Sequence, residues 1–176
     1  MQLREKDLAG RELFRLAEEL RVVTTAAGAP FFVNDRADVA RAAGADGVHL
    51  PAGGLRVADV RRLWPEALVG VSTHAPEEVA GAAVEGADFT VFGPVYDTPE
   101  KRPYGAPLGL AALAEAARGR LPVYAIGGVG VAEAAEVSRA GARGVACIRA
   151  VLGAPDPARA VAGILGALMS SSPCAT

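Results

Sequence analysis

The chain has 176 residues, 51% of them apolar and 22% charged, the balance of one globular domain with a core of its own. Lys and Arg number 18 against 20 Asp and Glu, a formal charge of −2, so no global basic field favours nucleic acid and any anion site must be local. No apolar run approaches the ~20 residues of a membrane span, the start Met1-Gln2-Leu3-Arg4-Glu5-Lys6 carries no apolar signal region, and Cys147 and Cys174 lie in unlike settings that make no disulfide framework, which together predict a cytoplasmic protein without membrane partners.

Short apolar runs alternate with Ala-rich amphipathic stretches along the whole chain. Gln2-Leu3-Arg4 reads as a first strand, followed by a helix over 10–27, the strand Phe31-Phe32-Val33 and a helix over 36–43. Strands at 47–50, 68–71, 89–92, 122–126 and 144–148 then alternate with helices at 56–64, 76–85, 107–118, 131–140 and 156–169. Runs apolar on both faces and separated by helices predict a parallel sheet with helical crossovers. Three helix-to-strand joints share a phrase, Gly44-Ala45-Asp46, Gly86-Ala87-Asp88 and Gly141-Ala142-Arg143, in which Gly ends a helix in the left-handed conformation. The β–α repeat predicts a (β/α)₈ TIM barrel over 1–169, with a loose tail at 170–176. Seven strands fall one short of closure, so the barrel is expected to lack its first β–α unit and a unit is expected ahead of Met1. An open barrel would expose strand edges that favour association, which makes a homo-oligomer an expectation as well.

Parallel α/β folds present chemistry at the C-terminal ends of their strands, and here those ends are polar. Gln2, Arg4 and Lys6 alternate, so all three can face one side as a phosphate or carboxylate site, unless they form a solvated terminus. Asp35 after Asn34 can hold Mg²⁺ or orient a cationic ring, or can merely cap the next helix. Gly127 and Gly128 lead from a strand into a helix, where backbone N–H groups can meet a phosphate, with the Arg149 loop as neighbour. The segment 93–105, rich in Pro and Gly and carrying Lys101 and Arg102, reads as a lid or as an ordinary surface loop. His49 and His74 show no metal-ligand spacing with the cysteines, and each is either a general acid/base or structural. Cys147 is read as core.

In chain order, Gln2-Leu3-Arg4-Glu5-Lys6, Asn34-Asp35-Arg36, Gly44 through Leu50, Gly70-Val71-Ser72-Thr73-His74, Phe92-Gly93-Pro94-Val95, Pro107-Leu108-Gly109-Leu110 and Ala125-Ile126-Gly127-Gly128 resemble the thiamine phosphate synthase/TenI family. The resemblance runs from Met1 to about Leu165 and implies a (β/α)₈ barrel acting in thiamine biosynthesis on small phosphorylated substrates. For a synthase it implies Mg²⁺ as cofactor and the joining of hydroxymethylpyrimidine diphosphate to a thiazole phosphate. Gln2, Arg4, Lys6 and Asn34 would then hold the diphosphate and Asp35 the metal. Ser72, Thr98 and Lys101 would line the substrates, and Gly127-Gly128 would bind the thiazole phosphate.

The chain departs from the synthase pattern at Pro51-Ala52-Gly53-Gly54, where that pattern has Gly-Gln-x-Asp with a second metal ligand. Glu100 stands where the synthase tends to have Thr, and Arg149 where it has Ser. Leu50-Pro51-Ala52-Gly53 resembles the TenI branch, whose thiazole tautomerases move a proton without a metal, although their His after Phe-Gly is Pro94 here. On that segment the expectation is a TenI-like tautomerase without cofactor, using His74, His49 or Lys101 for proton transfer, with the synthase as the alternative. A noncatalytic binder of thiamine precursors is a further alternative.

Overall fold

A computed structural model of the chain describes residues 1–99, 102 and 105–171. Seven strands are found among them, β1 (Gln2–Leu3), β2 (Phe32–Asn34), β3 (Gly47–Leu50), β4 (Leu68–Thr73), β5 (Phe89–Phe92), β6 (Val123–Ile126) and β7 (Gly144–Ala146). The helices are α1 (Gly10–Ala26), α2 (Ala37–Ala42), α3 (Val57–Leu63), α4 (Pro76–Val84), α5 (Gly109–Ala116), α6 (Val131–Arg139), α7 (Arg149–Leu152) and α8 (Pro157–Ser171). Strand order follows chain order from β1 to β7. Seven strands rather than eight are therefore described, and the closed (β/α)₈ barrel is not shown; the parallel α/β sheet is.

The chain divides into two compact units, Met1–Ser72 with Val84–Asp88, and Thr73–Ala83 with Phe89–Thr176. In the first unit β1, β2, β3 and β4 pair in parallel, with Leu3 opposite Val33, Val33 opposite Val48 and Val48 opposite Val69. That row lies in a core with Phe31, Leu13, Ala17, Val57, Val60 and Trp64. Phe31 and Val69 are 0% exposed, and burying such side chains contributes roughly 2–3 kcal/mol each. α1 turns Leu13, Ala17 and Thr24 inward at helical spacing, and the Thr24 hydroxyl donates to the Leu20 and Arg21 carbonyls, so its polar atom stays satisfied in the core.

In the second unit β5, β6 and β7 pair in parallel, Phe92 opposite Ala125 and Ala125 opposite Val145. Phe89 meets Tyr124 edge to face at 5.7 Å, and the buried Thr73 and Thr90 hydroxyls are 2.6 Å apart. α6 and α8 pack together beside β7.

Most expected elements form within a residue or two of their expected bounds. Three differ. β1 ends at Leu3, so Arg4 and Lys6 lie beyond the strand and the alternation expected for Gln2, Arg4 and Lys6 is not that of one strand. A one-turn helix, α7, begins at Arg149 where a loop was expected, too short to leave a periodic signature. α8 continues to Ser171, so the first two residues of the expected tail are helical, while 172–176 lie outside the described residues. No described helix is long and apolar enough to cross a membrane.

Candidate functional site

In the first unit, polar residues gather where β1 to β4 end. Gln2 Nε2 donates to Asn34 Oδ1 at 3.1 Å, which leaves the Asn34 amide N–H groups as donors. Asn34 stands opposite His49 in the β2–β3 register, and His49 stands opposite Gly70 in β3–β4. Ser72 lies two residues beyond Gly70, on the same face, and its Oγ is 2.9 Å from His49 Nε2. His49 is buried; burial first, and the positive charge of Arg4 second, push its pKa down to about 4, so the ring is neutral at pH 7. A group that holds its proton count fixed near neutrality serves better as a hydrogen-bonding fixture than as the acid/base expected of it.

Asp35 follows β2 in a left-handed conformation with φ 65°, inside a three-residue turn closed by Arg36 N–H donating to the Asn34 carbonyl at 2.7 Å. Such geometry in a residue with a Cβ costs on the order of 1–3 kcal/mol and points to a constraint at a site. The turn leaves the Asp35 carboxylate exposed, with no hydrogen bond or salt bridge to a described residue. Gly54 faces it. A Cβ built there would meet Asp35 Oδ1 at 3.0 Å and the Pro51 ring at 2.9 Å, and Gly54 N–H closes the turn onto the Pro51 carbonyl. Lys6 and Arg4 are both exposed.

The second unit holds a different cluster. Gly127 and Gly128 have φ of 95° and 67°, and a Cβ on either would collide with Pro94 or Tyr96 at 2.6–2.7 Å, so glycine is required twice over. The N–H groups of Gly127, Gly128 and Val129 donate to no described residue and precede α6, the arrangement of an anion-binding helix start. The loop after β7 adjoins it: Cys147 Sγ donates to the Val129 carbonyl at 3.4 Å, and burial pushes the Cys147 thiol pKa up. Arg149 opens α7 there and is exposed.

Tyr96 fastens the loop after β5 by donating its hydroxyl to Glu136 at 2.8 Å; burial, then the Glu136 carboxylate, push its pKa up to about 12. This pair escaped the sequence reading, because only an isolated Tyr in a loop and a surface Glu on a helix announce it. Thr98 is buried, and its hydroxyl oxygen has no hydrogen-bond partner among the described residues, an orphan that a ligand would satisfy. His74 is exposed, its Nδ1 2.5 Å from the Gly93 carbonyl and its N–H donated to Glu78. Glu100 and Lys101 lie outside the described residues.

A model of the family described as thiamine monophosphate synthase matches residues 1–151. The chain belongs to that family. It is similar to the thiamine-phosphate synthase of Roseiflexus castenholzii, 48% identical over 159 residues, covering 89% of this chain and 70% of the relative. With the thiamine-phosphate synthase of Methanoculleus marisnigri the identity is 49% over 158 residues, 89% of this chain and 75% of the other. The solved thiamine phosphate pyrophosphorylase from Pyrococcus furiosus is 33% identical with a TM-score of 0.90, over 97% of this chain and 82% of that one.

These relatives correct one expectation. Proteins 44–49% identical to the chain are named synthases, so a TenI-type tautomerase, read from Leu50-Pro51-Ala52-Gly53, is not upheld. One altered turn counts for less than likeness along the whole chain. The protein is a family enzyme of the transferase kind.

Proposed function

We propose that the chain joins hydroxymethylpyrimidine diphosphate to a thiazole phosphate, releasing diphosphate and forming thiamine phosphate. The observation that carries this is the cluster in the first unit, where the Asn34 amide N–H groups, the Ser72 hydroxyl and the charge of Arg4 gather with the exposed Asp35 carboxylate held by a strained turn. Neutral donors and a fixed cation suit a diphosphate. A lone carboxylate beside them suits a divalent ion shared with that diphosphate.

Mg²⁺ is commonly held by one or two carboxylates together with substrate phosphate and water. Asp35 fits that mode. Bound Mg²⁺ would offset charge on the departing diphosphate. Asn34 and Ser72 would hold phosphate oxygens as the carbon–oxygen bond breaks, and Arg4 and Lys6 would offset charge on the released diphosphate. The pyrimidine methylene, left cationic, would be attacked by the thiazole nitrogen. Taken by itself, the second unit offers the N–H groups at Gly127 to Val129 as a phosphate anchor and the Thr98 hydroxyl as a donor.

Both substrates with Mg²⁺ should give thiamine phosphate and diphosphate in equal amounts by mass spectrometry. Asp35→Ala should lower the rate by about a hundredfold or more, as losing one dominant electrostatic group does. Substrate binding without product would overturn the proposal.

Pro51 and Gly54 define a further test. The Pro51 ring occupies the space a Cβ at 54 needs, so Gly54→Asp alone should not improve metal binding. Combined with Pro51→Gly, it should tighten Mg²⁺ binding in the presence of diphosphate by roughly tenfold, since a second carboxylate joins the ion. Calorimetry that finds the single change as effective as the pair would show that the ring is no obstacle.

A further inference from the structure

We propose that His49 is a positioning residue for the Ser72 hydroxyl: its Nε2–H donates to Ser72 Oγ, which turns the hydroxyl hydrogen outward as a donor to a diphosphate oxygen. This rests on the reading of the first unit as the diphosphate site. The sequence makes the contact by register. His49 pairs with Gly70, which has no side chain to block the imidazole, and Ser72 is the next residue on that face, 2.9 Å from Nε2.

Two arrangements of the shared proton are available. With the proton on Nδ1, Ser72 donates to the ring and offers only lone pairs to an anion, which repels it. With the proton on Nε2, the Ser72 oxygen is engaged as an acceptor and its hydrogen is free to point at phosphate. An imidazolium would donate from Nε2 in the same sense. Beside this pair, Gln2 does the same for Asn34: it occupies the amide oxygen and leaves the N–H groups for a ligand. In both pairs one side chain takes up the acceptor of its neighbour so that the neighbour presents a donor.

The test is a double-mutant cycle on binding of inorganic diphosphate with Mg²⁺, followed by calorimetry, with thermal unfolding recorded for each variant. His49→Leu and Ser72→Ala should each weaken binding about tenfold, the scale of one hydrogen bond to an anion, and the double variant should be no weaker than either. His49→Gln, whose amide N–H reaches as far as Nε2, should bind within about threefold of the parent. Multiplying effects in the double variant, or a Gln variant as weak as Leu, would overturn the inference while leaving the diphosphate site intact. Failure of the parent to bind diphosphate would instead overturn the site reading and the inference with it. Should His49→Leu not fold, the ¹⁵N shifts of His49 in the parent decide the matter: protonated Nε2 supports the assignment, and protonated Nδ1 ends it.

Discussion

The three helix-to-strand joints share a backbone and differ in one side chain. At Gly44, Gly86 and Gly141 the chain turns through φ of 65°, 86° and 97°. Two residues later the N–H of Asp46, Asp88 or Arg143 donates to the carbonyl of Phe31, just ahead of β2, of Val69 on β4 or of Val123 on β6, at 2.9, 2.8 and 2.7 Å. At the first two joints the carboxylate completes the exchange. Asp46 Oδ2 accepts Phe31 N–H at 2.7 Å and Arg21 of α1 at 2.7 Å; Asp88 Oδ2 accepts Val69 N–H and Arg61 of α3, both at 2.6 Å. Arg143 has no acceptor and cannot do this. The glycine and the backbone bond therefore suffice to build the joint, and the aspartate adds a lock between one strand start and one helix.

The largest effect should come from removing a lock. Val69 is 0% exposed, so Asp88→Ala leaves a buried N–H unsatisfied and strips Arg61 of its partner. The expected cost is about 2–3 kcal/mol by urea unfolding. Asp88→Asn keeps an acceptor for Val69 and loses only the ion pair, which is part exposed, so about 1 kcal/mol is expected. An Asn variant as unstable as Ala would make the charge, rather than the backbone cap, the working part.

Acid should find the other lock, at Asp46. Burial pushes the Asp46 pKa up, but the Phe31 N–H and the Arg21 guanidinium outweigh it and hold the carboxyl below its usual value. A depressed carboxylate contributes stability above about pH 4 that is lost as pH falls through its folded pKa. His49 acts in a higher window. Its folded pKa of about 4 lies below the usual 6.5, so stability falls as pH drops from 6.5 toward 4. Unfolding curves against pH should lose the lower step in Asp46→Asn and the upper one in His49→Gln. An unchanged lower step in Asp46→Asn would place the acid sensitivity elsewhere.

Much of this was legible in the residues. β3 and β5 form where their apolar runs stand, since strands covered on both faces need little else to announce them. Parallel strands also put chemistry at known ends, which is why Asn34, Asp35, His49 and Ser72 stood out. Their pairing was not legible. His49 meets Ser72 through register across 23 residues, and no local pattern encodes which hydroxyl an imidazole will reach. The strained turn at Asp35 and the fit of Gly54 beneath the Pro51 ring are likewise three-dimensional facts. In the joints the repeated glycine was read for its backbone freedom, whereas the aspartate two residues later depends on a strand N–H far away in sequence.

The smallest effect belongs to the third joint, and it decides whether the shared phrase is one device or two. Arg143 is exposed, and its backbone N–H, not its side chain, makes the bond to Val123. Arg143→Ala keeps that bond and Gly141, so stability should change by no more than about 0.5 kcal/mol, the range of an ordinary surface substitution. Gly141→Ala, by contrast, must force a Cβ into a left-handed φ and against Ala117 at 3.0 Å, so it should cost at least about 1 kcal/mol. If Arg143→Ala were instead as harmful as Asp88→Ala, the side chain at this position would be structural in all three joints, and the backbone would not be the part that builds them.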